Sequence, residues 1–226
     1  MNVDLVWSTP NGEDLIAYMA RVSNPENEHN SEYIKLLRYL MKNKHWSPFE
    51  MAHMCVRIET SRAIAAQILR HRSFSFQEFS QRYAEVTAFE PIELRKQHIK
   101  NRQSSTEVFD PAIEAYDSTI KASDLVDSAL EQVKWTYQEL VRAGVAKESA
   151  RMILPLTTQT TLYMVGNVRS FLHYIELRTD HHAQKEHQLL AQEIEQLFAQ
   201  NYPRIYAAWI EQRNNEELTR LLLEKI

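Results

Sequence analysis

Only 3 of the 226 residues are glycine: Gly12, Gly144 and Gly166. Glycine-rich phosphate loops need several glycines close together, so that backbone N–H groups can approach an anion. A chain this poor in glycine cannot build a nucleotide site of that kind, and any phosphate it holds must be held by side chains. The stretch "RHRSFSFQEFSQRY", residues 70–83, offers them. Arg70, His71, Arg72 and Arg82 crowd one segment, with Ser73, Ser75 and Ser80 between them and Glu78 as acidic relief. Like charges at this density cost energy unless an anion offsets them. A solvated basic turn at a helix C-terminus, where cations offset the helix dipole, accounts for one or two arginines. Four basic side chains with interleaved hydroxyls exceed it. The planar arginine fork matches phosphate bidentately, so a phosphate site is the preferred reading.

The cluster is local. Across the chain 26 Lys+Arg face 30 Asp+Glu, a formal net charge of -4. This balance argues against a general nucleic-acid binder and favours a discrete anionic ligand. A hydrophobic content of 44% with 25% charged residues suits a soluble globular protein, read as a single domain over 1–226. Cys55 is the sole cysteine, which excludes an intramolecular disulfide and a cysteine-based metal knuckle and suits a reducing compartment. The N-terminal "MNVDLVWSTPNGEDL" lacks the features of a signal peptide. No apolar run approaches the roughly 20 residues that span a bilayer. The expected location is the cytoplasm, or the host cytoplasm for a viral protein, with no membrane partner.

Along the chain, "NVDLVWS" reads as a strand and "NGEDLIAYMARVS" as a helix. "NSEYIKLLRYLMKN" places Tyr33, Leu36, Leu37 and Leu40 at helical spacing, and Pro48 marks a turn. "MAHMCVRIET" alternates, with Met54, Val56 and Ile58 against His53, Cys55 and Arg57, and predicts a strand. "TSRAIAAQILRHR" then turns helical, with Thr60 or Ser61 as N-cap and Ile64, Ala65, Ile68 and Leu69 as its apolar arc. The basic cluster spills from the end of this helix into a loop. Residues 89–109 are polar and aperiodic, a loop or mobile insertion. "AIEAYDSTIKASDLVDSALEQVKWTYQELVRAG" reads as one long helical pattern ended by Gly144, followed by "KESARMI", "VRSFLHYIELR" and a helical tail from Ala183 to about Ala199. The fold class is α+β, mostly helical with a small mixed or antiparallel sheet.

Three further groups carry possible chemistry. Arg151, Arg169 and Arg178 form a second basic set, and Asn167 is a candidate cap of a helix whose N-terminus attracts anions; surface arginines are the ordinary alternative. "RTDHHAQKEH" gathers Asp180, His181, His182, Glu186 and His187, but lacks the two histidines four apart with an intervening Glu of a zinc protease. A helix start with solvated histidines is the preferred reading, and no metal is assigned. Cys55 and His53 share a strand face, where a Cys–His pair can make a nucleophile, although a lone cysteine is more often a small buried apolar group.

Taken together, the motifs resemble the flavin-dependent thymidylate synthases, the thymidylate synthase-complementing type of fold. The basic stretch is similar to that family's signature, an Arg-His-Arg, two residues, a Ser, and later a Ser-x-Arg. "HWSPFE" at 45–50, "QILRHR", "ARMILPL", "NVRSFLHYIELR" and "HAQKEH" agree in order and spacing, over about residues 15–205. The resemblance implies a mixed α+β homotetramer with sites built from several chains. It implies methylation of deoxyuridine monophosphate (dUMP) to thymidylate, with 5,10-methylenetetrahydrofolate as carbon donor, FAD as cofactor and NADPH as its reductant. Ser47, Arg70, His71, Arg72, Glu78, Asn167, Val168, Arg169 and His173 fall at flavin positions. Gln67, Ile68, Leu69, Arg70, Glu78, Phe79, Ser80, Gln81, Arg82, Arg151 and Arg178 fall at nucleotide positions. Arg178 matches the arginine that activates the uracil ring, and His45 and Glu50 match positions near the flavin. Gln77 stands where Asn is frequent, His173 where a flavin-contacting Asn is common, and Met51 where a second His occurs. Two alternatives remain beside it: a cysteine-dependent nucleotide-modifying enzyme using Cys55, and a non-enzymatic nucleotide- or RNA-binding protein using the basic cluster.

Overall fold

The computed structural model describes residues 1–86, 88–115 and 118–223. In chain order it contains β1 (Asn2–Ser8), α1 (Gly12–Ala20), α2 (Ile34–Lys42), β2 (His53–Ser61), α3 (Arg62–Ile68) and β3 (Ser75–Glu78). There follow β4 (Arg95–Gln97), β5 (Ser105–Val108), β6 (Ala112–Ala115), β7 (Ser118–Lys121), α4 (Ala122–Arg142) and α5 (Lys147–Ala150). The chain ends with β8 (Gln159–Asn167), α6 (Val168–Arg178), α7 (Lys185–Asn201) and α8 (Pro203–Leu223). The architecture is the expected α+β, with a four-stranded antiparallel sheet in the order β1-β2-β8-β3 and two separate hairpins, β4-β5 and β6-β7.

Alternation builds the sheet. Met54, Val56 and Ile58 of β2 and Leu162 and Met164 of β8 turn to one face and are fully buried. That face meets Ile64 and Ile68 of α3, Phe171 and Ile175 of α6, Leu190 and Ile194 of α7 and Ile205 of α8. Each such side chain contributes on the order of 1.5–3 kcal/mol by leaving water. On the other face Trp7 and Tyr163 stay exposed. Two helices start where a strand stops. Ser61 ends β2 and its hydroxyl accepts from the Ile64 N–H, and Asn167 ends β8 and accepts from the Ser170 N–H at 2.8 Å. The chain leaves α4 at Gly144, whose φ of +87° is left-handed and easy for glycine alone.

Several expectations are corrected. Residues 89–109 are no simple loop: they carry the β4-β5 hairpin, with Arg95 opposite Val108 and Gln97 opposite Ser105. The long helical pattern starting at Ala112 is a hairpin up to Lys121, with Ile113 opposite Ile120, and becomes helical at Ala122; Tyr116 and Asp117 lie outside the described residues. Asp110 sets that start, accepting from the Ser123 N–H at 2.8 Å and from its hydroxyl at 2.7 Å. Cross-strand pairing overrides the helical preference of the alanine-rich stretch. The basic stretch forms strand β3 along β8. Strand β8 and helix α8 are both absent from the motif-centred reading, although the in–out alternation of β8 is legible. Leu69 leaves the apolar arc of α3 and is 38% exposed.

Gly166 lies where β8 approaches the ring of Phe74. A Cβ there would sit 2.5 Å from that ring's Cδ1. The ring cannot retreat easily, since Phe171 packs edge-on to it with centroids 5.0 Å apart. Gly166→Ala is expected to cost about 1–3 kcal/mol by overpacking. Urea denaturation checks this, and an unchanged midpoint would show that the ring yields.

Candidate functional site

The pairing of β3 with β8 runs from Ser75↔Val165 to Glu78↔Leu162. Segment 70–82 therefore travels along the sheet edge and delivers its basic residues to two places. At its start, His71 sits beside the end of α6. The Arg178 Nε–H donates to His71 Nε2 at 2.9 Å. A ring nitrogen that accepts carries no proton, so His71 is neutral. Burial first, then the Arg178 cation and His173, push its pKa down to about 4.

Behind this pair runs a polar chain, buried at Tyr174 and His187 and reaching the surface at Gln184. Tyr174 lies edge-on to His71, with centroids 4.9 Å apart, and its hydroxyl is 2.9 Å from His187 Nε2. His187 Nδ1 meets Gln67 Oε1 at 3.1 Å, and Gln67 Nε2 donates to Gln184 Oε1 at 2.6 Å. His187 is fully buried, and burial with Arg178 and His71 nearby lowers its pKa to about 3. A neutral His187 thus donates from Nδ1 to Gln67 and accepts the Tyr174 hydroxyl at Nε2. Gln184 continues to Glu186 at 2.8 Å, and Glu186 pairs with Arg95 at 2.6 Å. The hairpin at 95–108 therefore braces the site.

Two neighbouring clefts share His173 and Glu176, and Arg178 lines the smaller of them. The larger, about 570 Å³, is lined by Trp46, Glu50, Asn167, Arg169 and Trp209 among others. Arg169 pairs with Glu50, and both remain partly exposed. Aromatic walls, a guanidinium and the N-terminus of α6 fit a planar aromatic ligand that carries negative charge. The smaller, about 370 Å³, holds Arg178, Asp180 and His182. Of the other positions expected to hold flavin, Ser47 sits exposed in the 3-10 turn Ser47–Glu50, and Val168 is fully buried. Arg70 and Arg72 are exposed and, among the described residues, have no ion-pair partner.

The far end of β3 carries the second group. Gln81 and Arg151, with Arg62, line a cavity of about 290 Å³. Gln81 Nε2 and Arg151 Nε are buried there with no hydrogen-bond partner among the described residues. Unpaired buried donors are costly, so this cavity fits a ligand that brings acceptors. Ser80 and Phe79 lead into it from β3, and Arg82 reaches Glu148 at 3.4 Å. Glu78 is engaged by Arg62 at 2.6 Å and by the Thr160 hydroxyl at 3.0 Å. Ile68 is fully buried and its carbonyl accepts from the His71 N–H, so it presents no surface to a ligand in this chain. One chain thus brings Gln67, His71 and Arg178 together, and separately Gln81 and Arg151. It does not join the two groups.

The remaining candidates are the histidine cluster, part of which lines the smaller cleft, and Cys55. His182 Nδ1 bonds Asp180 at 2.7 Å, and the ligand atoms of these two and His181 lie within 4.8 Å of one another on the surface, whereas His187 and Glu186 are committed to the polar chain. Cys55 is 7% exposed, and burial pushes its thiol pKa up, opposite to an activated nucleophile. No helix among the described residues is long and apolar enough to cross a membrane. Tyr174, Trp46 and Trp209 are functional candidates that motif reading missed, and His187, weighed there only in a histidine cluster, belongs to the polar chain instead. The sole signal for His187 was its place at the end of "HAQKEH"; Trp209 lies beyond every motif.

Comparison with known proteins agrees with this geometry. The profile of the family described as "Thymidylate synthase complementing protein" matches residues 4–204. A flavin-dependent thymidylate synthase of Synechocystis is 49% identical over 197 residues, covering 87% of this chain and 88% of that protein. A probable flavin-dependent thymidylate synthase of Paramecium bursaria Chlorella virus 1 is 47% identical over 208 residues, with 88% and 91% covered. Among solved structures, a UMP/dUMP methylase, PolB, from Streptomyces cacaoi with 5-Br dUMP bound superposes with a TM-score of 0.76 at 30% identity, covering 93% of this chain and 94% of that one. Motifs, fold and overall similarity converge: the chain belongs to the thymidylate synthase complementing proteins, the family of flavin-dependent thymidylate synthases.

Proposed function

We propose that this protein converts dUMP to thymidylate by reductive methylation, with methylenetetrahydrofolate as carbon donor, FAD as cofactor and NADPH as the reductant. The observation that carries the reading is the Arg178 guanidinium, held through Nε by a neutral His71 and lining a cleft that shares His173 and Glu176 with the larger one. With Nε engaged, the two terminal nitrogens have no hydrogen-bond partner among the described residues and can face a ligand. Uracil C5 is a poor nucleophile. For it to bond a one-carbon unit, charge must build on the ring oxygens and N3. A fixed guanidinium beside O2 and N3 stabilises that charge, and it cannot act as a base. His71 keeps Arg178 in place without adding a second cation that would repel it.

The 570 Å³ cleft is the proposed flavin site, with Arg169, Asn167 and His173 at its polar wall; Ser47, Arg70 and Arg72 are proposed as further partners of the cofactor. Bound flavin supplies hydride chemistry that no side chain possesses. The side chains hold the ring system, meet the pyrophosphate with arginine forks and exclude water. Gln81, Ser80, Arg82 and Arg151 are the proposed partners of the nucleotide, which brings acceptors to the unpaired Gln81 Nε2 and Arg151 Nε. Because β3 separates this group from Arg178, a complete nucleotide site needs both groups from different chains, and we infer a homotetramer with shared sites. A thiolate mechanism through Cys55 is disfavoured by the raised thiol pKa.

The direct test is formation of thymidylate from dUMP, methylenetetrahydrofolate and NADPH by the purified protein, with flavin bands in its spectrum; absence of both would sink the proposal. Arg178→Lys is expected to lose about a hundredfold in kcat, the scale of one transition-state donor, while flavin stays bound. Near-normal turnover would remove Arg178 from the chemistry.

Shared sites predict complementation. An inactive Arg70→Ala protein mixed with an inactive Arg82→Ala protein should regain activity once subunits exchange. No recovery despite exchange, followed by mass spectrometry, would mean that each chain owns a whole site.

The buried histidines impose a pH dependence on stability. Their folded pKa values lie below the ordinary 6.5, at about 4 for His71 and about 3 for His187. The unfolded chain therefore binds more protons below pH 6.5, and the stability present above that pH is lost as pH falls toward 4 and then 3. From His187 alone the loss between pH 7 and pH 5 is about 2 kcal/mol. Denaturant unfolding at the two pH values should show a smaller difference for His187→Asn than for the unmodified protein; equal differences would mean that His187 is not held neutral.

A further inference from the structure

The match to the family profile ends at residue 204. The chain continues as α8, Pro203–Leu223. This helix is anchored at its start. The carboxylate of Glu13, itself buried, accepts from the N–H groups of Arg204 at 2.7 Å and Ile205 at 2.8 Å. Just before it, the Tyr202 hydroxyl donates to the His53 carbonyl at 2.8 Å. Ile205, Ala208 and Trp209 then enter the core. The first two turns of α8 are thus fixed from two directions, and with them the position of Trp209.

Trp209 differs from an ordinary core residue in what surrounds it. The Arg213 guanidinium lies over its ring, 4.6 Å from the centroid, and Tyr206 stands beside it with centroids 5.9 Å apart. Its remaining accessible part, 4% of the residue, opens into the 570 Å³ cleft. Trp46 lines the same cleft from the turn before Pro48, and Arg169 and His173 line it from α6. An indole pinned by a cation and presented to a cleft with a second indole makes an aromatic surface suited to a flat, conjugated ring. We propose that Trp209 is a flavin-contacting residue, so that the C-terminal helix beyond the family-matching span forms part of the cofactor site. This rests on the reading of the cleft as the flavin site.

The test reads contact directly. The full-length apoprotein carries four tryptophans, Trp7, Trp46, Trp135 and Trp209, which can be labelled as 5-fluorotryptophan. Single Trp→Phe replacements assign their fluorine resonances, and FAD is then titrated in. The Trp209 and Trp46 resonances are expected to shift together, in proportion to bound FAD. A shift at Trp46 with none at Trp209 overturns the inference and leaves the cleft as the flavin site. No shift at either while FAD binds overturns both. In parallel, Trp209→Leu is expected to weaken FAD binding about fivefold to tenfold, the scale of one lost aromatic contact, and Trp209→Phe by less than about threefold. Equal affinity of a folded Trp209→Leu protein and the unmodified one counts against the contact.

Discussion

Nine residue pairs between β2 and β8, from His53↔Asn167 to Ser61↔Gln159, hold both helices that carry the site. Each strand ends in a side chain that caps the next helix: Ser61 caps α3, and Asn167 caps α6. Because the strands are antiparallel, the two caps stand at opposite ends of the sheet. The short α3 brings the chain back along the sheet, and β3 returns it along β8. The Arg-His-Arg segment between them meets the last turn of α6, and the residues after β3 reach Arg151. A register slip of one residue would turn every side chain of β8 to the wrong face, so the buried alternation of Leu162 and Met164 guards the geometry of the site.

On this frame the electrostatics are arranged by burial. Three imidazole and phenol rings, His71, Tyr174 and His187, lie between Arg178 and Gln67. If either histidine were charged, it would repel Arg178 and lose an accepting nitrogen. Desolvation keeps both neutral, so the ring nitrogens accept where they must. The outward branch, through Gln184 and Glu186 to Arg95, ties the site to a hairpin that polar composition alone would assign to a loop. The polar chain is continuous from Arg178 to Arg95 by hydrogen bonds and ring contact, and its buried members, Tyr174 and His187, are satisfied.

Much of the site was legible before any fold was known. Scarce glycine excluded a phosphate loop, and the density of arginine between residues 70 and 82 pointed to side-chain recognition of anions. A strand within 51–60, a cap at Thr60 or Ser61, the cap at Asn167 and the α+β class followed from periodicity and capping chemistry. The β6-β7 hairpin did not, because "AIEA" and "STIK" are too short for a two-residue period to outweigh the helical pattern that follows. The role of His187 and the place of Trp209 were hidden for another reason: Gln67, which His187 bonds, and Trp46, which shares a cleft with Trp209, lie more than a hundred positions away.

The sequence by itself determined the kinds of groups available: arginine forks, two capping side chains, alternating strands, and motifs whose order resembles one family. Those properties are local, set by residue type and by spacing along a few turns. Tertiary structure alone decided which groups meet. It placed His71 2.9 Å from Arg178, 107 positions away, and it put Trp46 and Trp209 on one cleft. It also held Gln81 and Arg151 apart from Arg178 on the same chain. The reason is physical: charge state and ligand reach depend on burial and on through-space distance, and both are fixed only when the sheet and its helices close on one another.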